Sequence, residues 1–107
     1  MREVPIAAFA AAHADGAFVL DVREPGEYEA GHIPGVTLIP ADQVPARLRE
    51  LPRGGPVYVV CATGNRSLTV AAHLATAGFD ARAVAGGTAD WEQSGRPLVR
   101  GTRANVA

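Results

Sequence analysis

Apolar residues follow two alternating rhythms along this chain: short unbroken runs, and longer stretches in which they recur three or four positions apart. The runs predict strands buried on both faces, since a parallel sheet covered by helices keeps no polar face. The clearest is Val57-Tyr58-Val59-Val60, β-branched and aromatic, bounded upstream by Gly54-Gly55-Pro56. Residues 18–22, 36–39 and 81–84 predict further strands, and Val4-Pro5 a short edge strand, where proline lacks a ladder donor.

Between the runs the helical period takes over. It predicts an Ala-rich helix over 6–13 and a short acidic one over 23–30, entered beside Pro25. A third spans 42–51, capped by Asp42, with Val44, Leu48 and Leu51 on one face and Arg47, Arg49 and Glu50 on the other. Residues 66–77 form the next, with Leu68, Ala71, Ala72 and Leu74 or Ala75 apolar and Gly78 as a left-handed stop. A last one over 88–94 carries Trp91. Strands alternating with helices predict an α/β fold: one domain over 1–107, its central parallel sheet flanked by helices on both faces and joined by right-handed crossovers. The core is expected over about 4–97, with the tail from Gly95 onward loosely held.

Composition narrows the functional classes. One hundred and seven residues with 48% hydrophobic content suit a single globular core, and a net charge of -1 offers no basic field for nucleic acid. All ten basic side chains are arginine, which reads as compositional bias and lowers the weight of any one of them. No apolar run approaches bilayer length, so a cytoplasmic protein without a membrane partner is expected. One cysteine excludes an internal disulfide and any Cys-x-x-Cys motif. His13 and His73 have no Cys or His at ligand spacing, so no metal or other cofactor is expected.

That cysteine stands where its chemistry would change. Cys61 ends the central strand, and the loop Ala62-Thr63-Gly64-Asn65 leads into Arg66, Ser67 and a helix. The first N–H groups of a helix lack internal partners and favour negative charge in front of them. Small residues at Ala62 and Gly64 let the loop curl so that N–H groups converge, and Arg66 adds a positive charge. Such surroundings lower a thiol pKa, so Cys61 is expected to ionise below its ordinary value. The alternative is a small hydrophobe at a strand end. In a parallel sheet sites collect at the carboxyl ends of strands, where Asp21 also lies. Asp21 is expected to tie down Arg23 or nearby backbone, and His32 to fix its turn by hydrogen bonding. Tyr28, Phe79 and Trp91 read as packing.

Together Asp21-Val22-Arg23, Glu27-Tyr28, Gly31-His32-Ile33-Pro34-Gly35, the loop from Cys61 to Ser67, and Gly86-Gly87 with Trp91 resemble the single-domain rhodaneses. The likeness runs from about Val4 to Pro97. It implies a sulfurtransferase that passes sulfur through a cysteine persulfide: Cys61 as nucleophile, and Ala62, Thr63, Gly64, Asn65, Arg66 and Ser67 as the cradle of the outer sulfur. The implied partners are thiosulfate or a persulfide as donor and a thiol, cyanide or a sulfur-relay protein as acceptor. Phosphatases and arsenate reductases related to this fold place five residues between Cys and Arg; here four intervene, which suits a sulfur-sized pocket. Many thiosulfate-using relatives carry a basic residue where this chain has Ala62. A non-catalytic or carrier module is the second reading, and a phosphatase or arsenate reductase the third.

Overall fold

A computed structural model of the chain describes residues 1–105. Strands β1 (Arg2–Val4), β2 (Phe18–Asp21), β3 (Thr37–Leu38), β4 (Val57–Val60) and β5 (Ala81–Val84) form one sheet in the order β1-β5-β4-β2-β3. Every pairing is parallel. Helices α1 (Ile6–Ala14), α2 (Pro25–Ala30), α3 (Asn65–Thr76) and α4 (Gly87–Gln93) cover it.

Because strand side chains alternate, the sheet divides the core in two. Leu20, Val57, Val59, Ala81 and Ala83 pack with Val70, Ala71 and Leu74 of α3. Val19, Tyr58, Val60 and Val84 pack on the opposite face with Phe9 of α1, Tyr28 of α2 and Trp91 of α4. Cys61 continues the pleat of β4 onto the α3 side. The chain leaves β2 toward β3 at one edge and leaves β4 toward β5 at the other, so the carboxyl ends of β2 and β4 flank a topological switch point. Right-handed crossovers running in opposite directions put α2 and α3 on opposite faces of that crevice.

Two expectations are corrected. Residues 42–51 do not form an α-helix capped by Asp42; they form two 3₁₀ turns, Ala41–Ala46 and Leu48–Glu50. Pro45 lies inside the first, where it removes an N–H and its ring would collide with the carbonyl four residues back. The apolar set still faces inward, with Val44 and Leu51 buried. The tail is also tied down rather than loose. Val99 is buried and exchanges backbone bonds with His32 at 2.9 and 2.8 Å. Further on, Gly101 N–H reaches the Glu29 carbonyl at 2.8 Å and Gly35 N–H the Ala104 carbonyl at 2.9 Å. His32 adds side-chain anchors, each ring nitrogen 2.7 Å from a carbonyl oxygen, of Tyr28 and of Arg103. Its ring stacks on Tyr28 at 3.6 Å between centroids.

No helix of the described residues is long and apolar enough to cross a membrane.

Candidate functional site

Cys61 lies at the floor of the crevice, 1% exposed, with its sulfur turned to the start of α3. The Gly64 N–H points at Sγ from 3.1 Å and the Ser67 N–H from 3.3 Å, while Ser67 Oγ stands 3.5 Å away. Gly64 makes this curl possible: its φ of +116° lies in the region that favours glycine, and it is the residue from which α3 begins. With Cys61 a thiol, the Ser67 hydroxyl accepts from it and donates to the Gly64 carbonyl at 3.0 Å, bracing the loop; with Cys61 a thiolate, the same proton is within reach of Sγ.

Burial pushes the Cys61 thiol up, but the Ser67 hydroxyl and the N–H groups of Ser67, Gly64 and Thr63 outweigh it and bring the thiol below its ordinary value. The direction is the expected one; the cause differs in one respect. Arg66 makes no hydrogen bond to the sulfur among the described residues. Its guanidinium forms a two-pronged pair with Glu27 of α2, Nη1 to Oε1 at 2.6 Å and Nη2 to Oε2 at 2.9 Å. That bridge spans the crevice between α2 and α3. Arg66 is charged in any case, and Glu27 chiefly, with the Cys61 charge a lesser influence, favours that form further.

The back of the loop is held by α4. Thr88 N–H donates to the Cys61 carbonyl at 2.9 Å, Thr88 Oγ1 donates to it at 3.2 Å, and Ala89 N–H donates to the Ala62 carbonyl at 3.0 Å. These bonds fasten the first two carbonyls of the loop to the start of α4. Gly87 permits the approach, because its φ is +54° and a Cβ there would collide with the Cys61 carbonyl oxygen.

Asp21 and Arg23 form a buried pair beneath the same rim. Arg23 Nη2 lies 2.9 Å from Asp21 Oδ2, its backbone N–H donates to Asp21 Oδ1 at 3.0 Å, and Nη2 also reaches the Gly31 carbonyl at 2.9 Å. The pair brings β2 and the turn after α2 together and does not touch Cys61. Ala62 and Thr63 line the cleft in front of the loop, while the Asn65 and Thr63 side chains are exposed. Glu27 and Thr88 are the members of the site that reading the sequence did not assign; the only local signal for Glu27 was its place beside Tyr28 in the α2 motif. Among the described residues no cluster of three or more His, Cys, Asp or Glu side chains is arranged to hold a metal.

Fold and site together define a class: a parallel α/β domain whose single cysteine sits in a backbone N–H cradle at the end of a central strand. The chain belongs to the family described as Rhodanese-like domain, whose sequence profile matches residues 6–94. It is 42% identical over 69 residues to "Thiosulfate sulfurtransferase GlpE" of Pseudomonas entomophila, covering 64% of this chain and 63% of that protein. It is 44% identical over 61 residues to "Putative sulfur carrier protein YrkF" of Bacillus subtilis, covering 57% of this chain and 33% of that one. The chain thus spans about a third and just under two thirds of the lengths of these two relatives. Among solved structures, a rhodanese-related protein from Thermoplasma volcanium superposes with a TM-score of 0.87 at 32% identity, covering 92% of this chain and 98% of that one.

Proposed function

We propose that this domain is a sulfurtransferase that carries a sulfane sulfur on Cys61. The observation behind the reading is the convergence of the Gly64 and Ser67 N–H groups on Sγ, which stabilises a thiolate at the end of β4. The thiolate attacks the outer sulfur of the donor. An S–S bond forms to Cys61, the donor's bond to that sulfur breaks, and the electron pair leaves as sulfite from thiosulfate or as a thiolate from a persulfide. A thiol or cyanide then takes the outer sulfur and restores the Cys61 thiolate. The loop N–H groups serve the anionic sulfur in both states, and a preorganised donor of this kind is typically worth about 3 kcal/mol. Ala62, Thr63, Gly64, Asn65, Arg66 and Ser67 form the substrate side of the loop; Asp21 and Arg23 support it.

Intact mass after thiosulfate treatment and desalting tests the reading. One added sulfur is expected on the wild type, none on Cys61→Ser, and its loss on challenge with cyanide or a thiol. Retained loading in Cys61→Ser overturns the assignment. A second reading, a carrier module in a protein sulfur relay, is favoured by the likeness to a relative named as a sulfur carrier. Persulfide that forms from a protein donor but turns over slowly with free acceptors distinguishes it. A phosphatase or arsenate reductase is disfavoured by the four-residue loop, and negligible hydrolysis of an aryl phosphate is expected.

A further inference from the structure

The bridge between Arg66 and Glu27 raises a question that the sulfur chemistry does not answer: what a carboxylate is doing opposite the cation nearest the loop. Glu27 Oε1 also accepts the Glu24 N–H at 3.0 Å, closing a capping box on α2. Glutamine serves in that box as well as glutamate does. What the carboxylate adds over an amide is a negative charge against Arg66. The hydrogen bonds from Arg66 hold its carboxyl at about 2, so both partners are charged across the neutral range.

The other charges around the mouth are balanced too. Arg23 is paired with Asp21, and Glu92 and Arg100 bring one charge of each sign to the lining of the cleft in front of Ala62 and Thr63. Ala62 brings none. A donor entering this cleft meets N–H dipoles and a lining whose formal charges cancel, Arg23 and Arg100 against Glu27 and Glu92. Attraction to a fixed potential scales with the donor's charge, while the cost of stripping its water rises roughly with the square of that charge, so an electroneutral mouth disadvantages a dianion most.

Resting on the sulfurtransferase reading, we infer that Glu27 is a specificity-determining residue: by neutralising Arg66 it turns the site toward singly charged organic donors, persulfides and thiosulfonates, and away from dianionic thiosulfate. Glu27 acts through Arg66 and does not touch the reacting sulfur. With either donor class Cys61 forms the new S–S bond, the donor's bond to its outer sulfur breaks, and the electron pair departs with thiolate, sulfinate or sulfite.

Thiosulfate and methanethiosulfonate form the probe pair, since a methyl group replaces one charged oxygen at nearly constant size. Glu27→Gln keeps the capping bond and removes the charge. It is expected to lower KM for thiosulfate about fivefold or more, with kcat little changed, and to shift KM for methanethiosulfonate less. Glu27→Asp is expected to restore the wild-type donor ratio. In the wild type, kcat/KM for thiosulfate is expected to vary less than about twofold between about 20 and about 200 mM salt, whereas Glu27→Gln acquires a steep decline. An unchanged donor ratio in Glu27→Gln, an equal shift with both donors, or a steep salt dependence already present in the wild type overturns the role of Glu27 while sulfur transfer stands. Absence of Cys61 persulfide from the wild type with either donor overturns the sulfurtransferase reading, and this inference with it.

Discussion

At Cys61 the balance between burial and hydrogen bonding sets reactivity. A buried thiol resists ionisation, and only because Ser67 and the loop N–H groups outweigh that burial does the thiol lie below its ordinary value. Ser67→Ala removes one of those contributions, so alkylation of Cys61 near neutral pH is expected to slow by about tenfold, the worth of a hydrogen bond to a charged group. A rate equal to that of the wild type would mean that the backbone alone suffices. The depressed value also links stability to pH. Because the folded thiol ionises below the unfolded one, its contribution is complete above the unfolded value of about 8.5 and is lost as pH falls through the folded value. The gap in urea midpoint between wild type and Cys61→Ala is therefore expected to widen from about pH 6 to about pH 9. A gap that stays constant would contradict the shift.

Among the elements, α4 is as much a part of the site as α3. Its first turn holds the carbonyls of Cys61 and Ala62, and it reaches them only because Gly87 has no side chain and takes a positive φ. Gly87→Ala meets both obstacles at once. It is expected to cost about 2 kcal/mol or more, read from the denaturant midpoint, and to slow sulfur loading because the loop loses its backing. Wild-type stability in that variant would show that the loop does not depend on this contact. The two 3₁₀ turns make a different point. Pro45 was visible in the sequence, and its missing N–H outweighs the helical spacing of Val44, Leu48 and Leu51, which survives only as the direction in which the side chains face.

For the whole molecule, His32 matters more to the tail than to chemistry. It is fully buried, and its ring nitrogens reach the carbonyls of Tyr28 and Arg103 across 71 positions of sequence in the second case. Replacing it by alanine opens a cavity and removes the side-chain bonds to both carbonyls, of which that of Tyr28 keeps the Gly31 N–H, so stability is expected to fall by about 3 kcal/mol. Hydrogen exchange at the Val99 and Gly101 amides is expected to quicken while the β4 amides keep their relative protection. Exchange at Val99 as slow as in the wild type would remove His32 from its anchoring role.

The sequence by itself determined the alternation of strands and helices and the position of Cys61 at a strand's carboxyl end, because burial period, turn residues and helix entry are local properties. It also made the N–H cradle legible, since a strand ending in a small-residue loop before a helix curls by local sterics. Only the tertiary structure decided what surrounds that cradle. Arg66 finds Glu27 39 positions away because opposed crossovers place α2 and α3 on either side of one crevice. Thr88 meets the Cys61 carbonyl 27 positions back because α4 begins at the same end of the sheet. The tail finds His32 because Val99 has a buried place beside the turn after α2. Such pairings depend on which strand end lies beside which, and spacing along the chain carries no record of that.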